Sequence, residues 1–188
     1  GMYGAFALEG GLLQGKTLLN LDSEAEGELY VGCAGGVDTT AKFAYTPVEV
    51  EEGDVAVKVS ITGCKGGHSG CDIHLQRANA NKLLFRFLKE AVVNYEARLA
   101  SVEGGSLRNA IPREASAIIT VPAEGVEDIM DLVAECEDLF IAEYDGVEDN
   151  IHLTAEEVSC PTTELPEDVQ DFLIHAITAC PHGVYRVI

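Results

Sequence analysis

The chain has 188 residues, a mass of 20.0 kDa and a formal net charge of −20, because 32 acidic residues outweigh 12 basic ones. Such a charge repels nucleic-acid phosphates and anionic membrane surfaces, so we expect neither as a partner. Apolar residues make up 47% of the sequence, which favours a folded core, and no apolar run approaches the roughly 20 residues that span a bilayer. The six cysteines form no closely spaced pair, which indicates reduced thiols in a cytoplasmic protein.

The first 36 residues have the pattern of the end of a domain rather than of a complete one. They begin with a glycine-rich apolar run, and short strands are expected at 16–21 and 28–33 around an acidic turn. These elements carry apolar surface but few partners to cover it. We therefore expect residues 1–36 to be the last part of a larger domain, with Gly35 and Gly36 as a hinge.

From residue 37 the sequence predicts a more complete unit. Strands are expected at 37–45, 55–62, 99–102, 115–121 and 151–159, and helices from Asn79 or Asn81 to about 99, over 126–144, and from Pro166 onward. Long helices alternating with amphipathic strands predict an α+β fold, in which helices cover one face of an antiparallel sheet. Because 184–188 resembles an unfinished strand, we expect the unit 37–188 to be incomplete at its C-terminus.

Each predicted helix carries an apolar stripe at helical spacing. The stripes consist of Leu84, Leu88, Ala91 and Tyr95 in the first helix, Ile129, Leu132, Val133, Cys136 and Phe140 in the second, and Val169, Phe172, Leu173, Ala176 and Ile177 in the third. The strand at 55–62 alternates apolar and polar residues, which predicts one buried and one exposed face.

A glycine-rich loop at 63–70 interrupts this regularity and holds His68 among small residues. Glycine lets a backbone approach another surface closely, so the loop is suited to presenting an imidazole, although an exposed, idle histidine is equally typical of such a pattern. A structural zinc site is a second possibility, and its soft and borderline ligands would be Cys64, His68, Cys71 and His74. Their spacing is tighter than that of known zinc modules, which disfavours it.

Three segments of the sequence resemble bacterial aminoacyl-histidine dipeptidases, which belong to the zinc aminoacylase and carboxypeptidase superfamily. The segments are NLDSE at 20–24, KGGHSG at 65–70 and LRNAIPREA at 107–115. The resemblance implies a homodimeric enzyme with two zinc ions that hydrolyses Xaa-His dipeptides. It also implies that 1–36 ends the α/β catalytic domain and that 37–188 is most of a lid or dimerisation domain.

The resemblance gives individual residues a role. It makes Asp22 a ligand to one of the two zinc ions, although a solvated acidic turn is the ordinary interpretation of its surroundings. It has His68 reach into the active site of the second subunit, where it binds substrate and stabilises the developing oxyanion. Asn109 would contact the substrate's carboxylate or carbonyl, although a turn asparagine that bonds local backbone groups is the ordinary interpretation. Arg108 and Arg113 are rare positive charges in this acidic chain, and one of them could neutralise a substrate carboxylate, although either could equally pair with an acidic surface neighbour.

The sequence lacks the family's other metal ligands and the glutamate that acts as general base. We therefore expect these 188 residues to have no peptidase activity by themselves and to bind zinc weakly or not at all. A non-catalytic, acidic α+β module for interaction or dimerisation is the alternative function. A deacylase or aminopeptidase of the same superfamily would differ in substrate only.

Overall fold

The computed structural model describes residues 3–19, 21, 26–32 and 35–186. The chain forms two compact units, Gly1–Lys42 and Phe43–Ile188. Within the described part of the first unit, the regular structure is a four-residue helix, α1 (Tyr3–Phe6), and the strands predicted at 16–21 and 28–33 do not form there. An isolated pair of short strands is marginal in water, which accounts for this error. The domain boundary at residue 36 stays a prediction.

The second unit has the predicted α+β fold, with three long helices and antiparallel sheets. Its strands are β1 (Val48–Glu49), β2 (Asp54–Thr62), β3 (Gly67–His68), β4 (Arg98–Gly104), β5 (Ala110–Ile111), β6 (Ala115–Pro122), β7 (His152–Val158) and β8 (Thr163–Glu164). Its helices are α2 (Ala80–Asn94), α3 (Val126–Glu143) and α4 (Glu167–Ala179). Four strands form the main sheet in the order β4-β6-β2-β7, and β1 pairs with β8 and β3 with β5.

The alternation on β2 decides which face of the sheet is covered. Val57, Val59 and Ile61 are fully buried in the core that also contains the apolar faces of the helices. Their neighbours Lys58 and Ser60 point to the opposite face and are only half-buried. The helices therefore cover one face, as predicted, because only that face of the strand is apolar.

The helix starts and stripes follow the sequence closely in α2 and α3. The N-cap of α2 is Asn79, whose Oδ1 accepts a hydrogen bond from Lys82 N at 3.3 Å. The helix ends at Asn94, earlier than predicted, because Glu96 takes a left-handed conformation and leads into β4. All five residues of the stripe predicted for α3 are buried.

The stripe predicted for α4 is partly wrong. Phe172 is 70% exposed, and the fully or nearly buried side chains of this helix are Gln170 and Ile174. Gln170 Oε1 accepts a hydrogen bond from Leu99 N at 2.6 Å, which fixes the rotation of α4 against the edge strand β4. Helical periodicity describes spacing within one helix, so it could not predict this polar contact between distant segments.

The strand predicted at 37–45 is also wrong. These residues are not in a strand, and the short β1 that follows them pairs with β8. Alternating residues form a strand only where a neighbouring edge can accept their hydrogen bonds, and no described strand pairs with this run. No helix in the described part of the chain is long and apolar enough to cross a membrane.

Gly63, at the end of β2, lies directly against the backbone of the loop that follows α3. Its φ is +79°, and a Cβ built there would lie 1.7 Å from Asn150 O. Gly146, in that same loop, has a similar φ of +76° but open space around it. The two glycines therefore share the conformational requirement and differ in the steric one.

We expect Gly63→Ala to destabilise the chain by at least about 2 kcal/mol more than Gly146→Ala, because both substitutions carry the cost of positive φ but only the first also displaces backbone. Urea unfolding of the two variants and the parent chain measures the difference. Equal midpoints for the two variants would show that Gly63 does not contact Asn150 in solution.

Candidate functional site

The two segments singled out in the sequence meet in the structure. The strand β3 pairs with β5, so that Gly67 lies opposite Ile111 and His68 opposite Ala110. Ser69 N also donates a hydrogen bond to Asn109 O at 2.9 Å. The glycine loop and the loop at 107–115 thus form one small ribbon that carries His68 and Asn109.

The imidazole of His68 is exposed and has a defined orientation. Its Nδ1 accepts hydrogen bonds from Gly70 N at 3.0 Å and Cys71 N at 3.1 Å. Because two N–H groups point at Nδ1, the hydrogen of the neutral ring is assigned to Nε2. His68 can therefore offer an N–H donor to a ligand without carrying a positive charge.

The backbone of His68 is held as firmly as its ring. Its N–H donates to Asp72 Oδ2 at 2.8 Å, and its carbonyl accepts from Asp72 N at 3.0 Å. Arg77 Nη1 donates to Gly66 O at 2.7 Å and lies 3.7 Å from the Asp72 carboxylate. These bonds make the turn after β3 a rigid support for the imidazole.

The predicted substrate-binding residues lie on the second loop of the ribbon. Arg108 and Asn109 are both exposed there. Arg113 has a different position, because its Nε donates to Cys64 O at 3.4 Å and thereby links the second loop to the first. The structure thus brings Asn109 and Arg108 to the His68 ribbon, and their roles toward substrate stay predictions.

A buried carboxylate that sequence reasoning missed supports both loops. Glu148 is only 8% exposed, and its two oxygens accept from Lys65 N at 2.7 Å and Ala78 N at 2.9 Å. In the sequence it stands in an acidic run that is typical of a solvated loop, so nothing distinguished it from its neighbours. The first turn of α2 also holds the second loop, since Ala80 N donates to Pro112 O at 3.1 Å.

The structural zinc site considered from sequence does not form. Cys64 is buried in the core, whereas Cys71 and His74 are exposed. Across the described ranges, no three histidine, cysteine, aspartate or glutamate side chains are grouped so that they could hold a metal ion. Asp22, the predicted ligand of a catalytic zinc, lies outside the described residues, so zinc binding stays a prediction.

A groove of about 700 Å³ lies beside the ribbon, between the open face of the sheet and the second loop. Lys58, Ser60, Ser116 and Arg113 are among its lining residues, whereas His68 and Asn109 are not. The groove therefore lies next to the predicted site residues, and His68 and Asn109 are exposed outside it. An open ribbon is suited to completing a site formed largely by other residues.

Comparison with known proteins accounts for this architecture. The profile of the M20 peptidase dimerisation domain matches residues 59–148. The chain carries a dimerisation domain of the M20 peptidase family. The resemblance noted in the sequence is thereby confirmed.

Two relatives match almost the entire chain of this M20 protein. The cytosol non-specific dipeptidase of Escherichia coli strain K12 is 42% identical over 186 residues, which cover 99% of this chain and 38% of the relative. The crystal structure of aminoacylhistidine dipeptidase from Vibrio alginolyticus has 40% sequence identity and a TM-score of 0.81, over 100% of this chain and 38% of that one. The chain thus spans a little over a third of the length of these relatives.

The thiols of the M20 domain should differ sharply in reactivity. Burial, together with the nearby Glu148 carboxylate, raises the pKa of Cys64 to about 11, while Cys71 is exposed. Because the thiolate is the reactive form, we expect iodoacetamide at pH 8 to label Cys71 and to leave Cys64 unlabelled, with labelling of Cys64 rising only as the pH approaches 11. Trypsin separates the two cysteines at Lys65, so mass spectrometry of the digest measures each one. Equal labelling at pH 8 would contradict the buried position of Cys64.

Proposed function

We propose that this chain is the lid and dimerisation part of a zinc-dependent dipeptidase that hydrolyses Xaa-His dipeptides, acting as a homodimer in the cytoplasm. The observation that carries the proposal is that the pairing of β3 with β5 places His68 and Asn109 together on one exposed ribbon. The names of the two relatives support dipeptide hydrolysis and differ in specificity, one being called non-specific and the other aminoacylhistidine. The preference for a C-terminal histidine is therefore the finer part of the proposal.

The geometry of His68 suits stabilisation of an oxyanion. Attack on a peptide carbonyl transfers negative charge to its oxygen, and a donor held in advance at that oxygen lowers the barrier. The Nε2–H of His68 is such a donor, because the turn that occupies Nδ1 also fixes the direction of the ring. Because two backbone N–H groups occupy Nδ1, the ring is oriented to donate through Nε2.

The neighbouring side chains suit the carbonyl and carboxylate oxygens of a dipeptide. The amide of Asn109 can donate to a carbonyl or carboxylate oxygen, and the guanidinium of Arg108 can pair with the C-terminal carboxylate. The projecting ribbon favours delivery of these groups into a site on a second copy of the chain. In a protein with 32 acidic residues, cations near the ribbon would also offset the repulsion of an anionic substrate end.

Asp22 is the residue of this chain that we propose as a zinc ligand. When bound, the metal would supply an activated water to attack the peptide bond. The described residues form no metal site of their own, so the proposal gives this chain one ligand and the substrate contacts, and it gives the remaining ligands and the general base to other segments. By itself the 188-residue chain would then be inactive.

His68→Ala tests the proposed role of the ribbon. In the full-length polypeptide that contains this chain, we expect kcat for an Xaa-His dipeptide to fall by about 100-fold or more, the usual loss on removing one oxyanion donor. His74→Ala is the matched control, because His74 is exposed in the same segment and is expected to leave kcat within about 2-fold. A loss of less than about 10-fold for His68→Ala would overturn the role.

A further inference from the structure

The carboxylate of Glu148 is costly to bury, and among the described residues it forms no ion pair with a basic side chain. Desolvating an ionised group is unfavourable unless hydrogen bonds replace its water. Both oxygens of Glu148 are used instead on backbone N–H groups, those of Lys65 and Ala78. A carboxylate that accepts hydrogen bonds from two backbone N–H groups fixes the position of the backbone at both residues.

The backbone positions of Lys65 and Ala78 in turn determine where the two loops of the ribbon lie. Lys65 precedes His68 by one short bend of the glycine loop, so anchoring its N–H fixes the start of β3. Ala78 leads into the first turn of α2, where Ala80 N holds Pro112 O of the Asn109 loop. We propose that Glu148 is a positioning residue for the dipeptidase reaction, which aligns the imidazole of His68 by anchoring both the glycine loop and the loop that pairs with it. The inference rests on the proposed function, since it concerns how that same ribbon is aligned.

The segment around Glu148 forms a platform beneath the glycine loop. Lys65 Nζ donates to Val147 O at 2.6 Å and pairs with Asp149 at 2.8 Å, and the carbonyl of Asn150 lies against Gly63. The side chain of Asp149 is 77% exposed, so its ion pair with Lys65 is screened by water and weak. Asp149 is therefore a neighbour with the same charge and without the buried contacts.

An amide cannot replace this carboxylate. Glutamine has the same shape but one acceptor oxygen, so its NH₂ group would face either Lys65 N or Ala78 N, donor against donor. One buried N–H would lose its partner, and the loop would shift to restore it. Displacement of a catalytic group by about 1 Å can cost up to about 100-fold in rate.

The kinetic test compares Glu148→Gln with Asp149→Asn in the full-length polypeptide. We expect Glu148→Gln to lower kcat for an Xaa-His dipeptide by about 10-fold or more while KM changes by less than about 3-fold, because the donor is misaligned rather than lost. Asp149→Asn should leave both parameters within about 2-fold. In a His68→Ala background, Glu148→Gln should cost less than about 2-fold further, because the group that it positions is absent.

A measurement independent of activity uses the 188-residue chain. The ¹⁵N chemical shifts of the His68 ring distinguish the tautomer with hydrogen on Nε2 from the alternative. We expect the parent chain and Asp149→Asn to show the Nε2–H form, and Glu148→Gln to show a mixture, with faster exchange of the Lys65 and Ala78 amide hydrogens. Should Glu148→Gln fail to give a dispersed spectrum, Glu148→Asp, which keeps both acceptor oxygens on a shorter arm, is expected to show the same changes in milder form.

The outcomes separate this inference from the function on which it rests. If His68→Ala leaves activity intact, the proposed role of the ribbon fails, while the tautomer data still report whether Glu148 orders His68. If His68→Ala is impaired but Glu148→Gln retains both the parent kcat and the parent tautomer, the positioning role is overturned. Additive losses in the double variant would also overturn it, because they would show that Glu148 acts on something other than His68.

Discussion

The first turn of α2 is the constraint on which the rest of the site depends. The N-terminal N–H groups of a helix have no partners within the helix, so they must find acceptors elsewhere. Here Asn79 caps Lys82 N, Pro112 O receives Ala80 N, and Glu148 receives Ala78 N just before the cap. Each acceptor belongs to a different part of the chain. Satisfying one helix end therefore fixes the relative positions of the cap, the Asn109 loop and the segment after α3.

The same turn of α2 also stabilises the C-terminus of α4. Lys82 Nζ donates to the carbonyl oxygens of Ile177, Thr178 and Cys180, at 2.7 to 2.8 Å. These are the unpaired carbonyls at the C-terminus of α4, where a cation also favours the helix dipole. The chain has 12 basic residues against 32 acidic ones, and Lys82 is one of these few cations, used here to stabilise a helix end. The first turn of α2 thus contacts both the Asn109 loop and the end of α4.

The sequence predicted those elements whose pattern repeats locally. Alternation on β2, the Asn79 cap and the stripe of α3 follow from the residues within one element, and all three are confirmed. The error in α4 and the oversight of Glu148 both involve long-range polar contacts, which the periodicity of a single element does not contain. Gln170 turns α4 so that Phe172 faces outward, and Glu148 is buried although it stands in an acidic run. For the candidate site, motif resemblance predicted His68, Asn109 and Arg108, which the structure brings together and whose roles stay predictions, while Asp72 and Glu148, which bond the same loops, became visible only in three dimensions.

The register of the central strand has a consequence for synthesis. β2 lies early in the sequence of the second unit, yet it pairs with β6 and β7, which lie near the middle and toward the end of that unit. Contacts between distant segments form slowly, because the intervening chain must first be ordered. On the ribosome, β2 and the glycine loop must therefore wait for most of the domain to be made. Because Lys65 N in the glycine loop bonds to Glu148, the complete set of contacts around the His68 ribbon forms only after residue 148 has emerged.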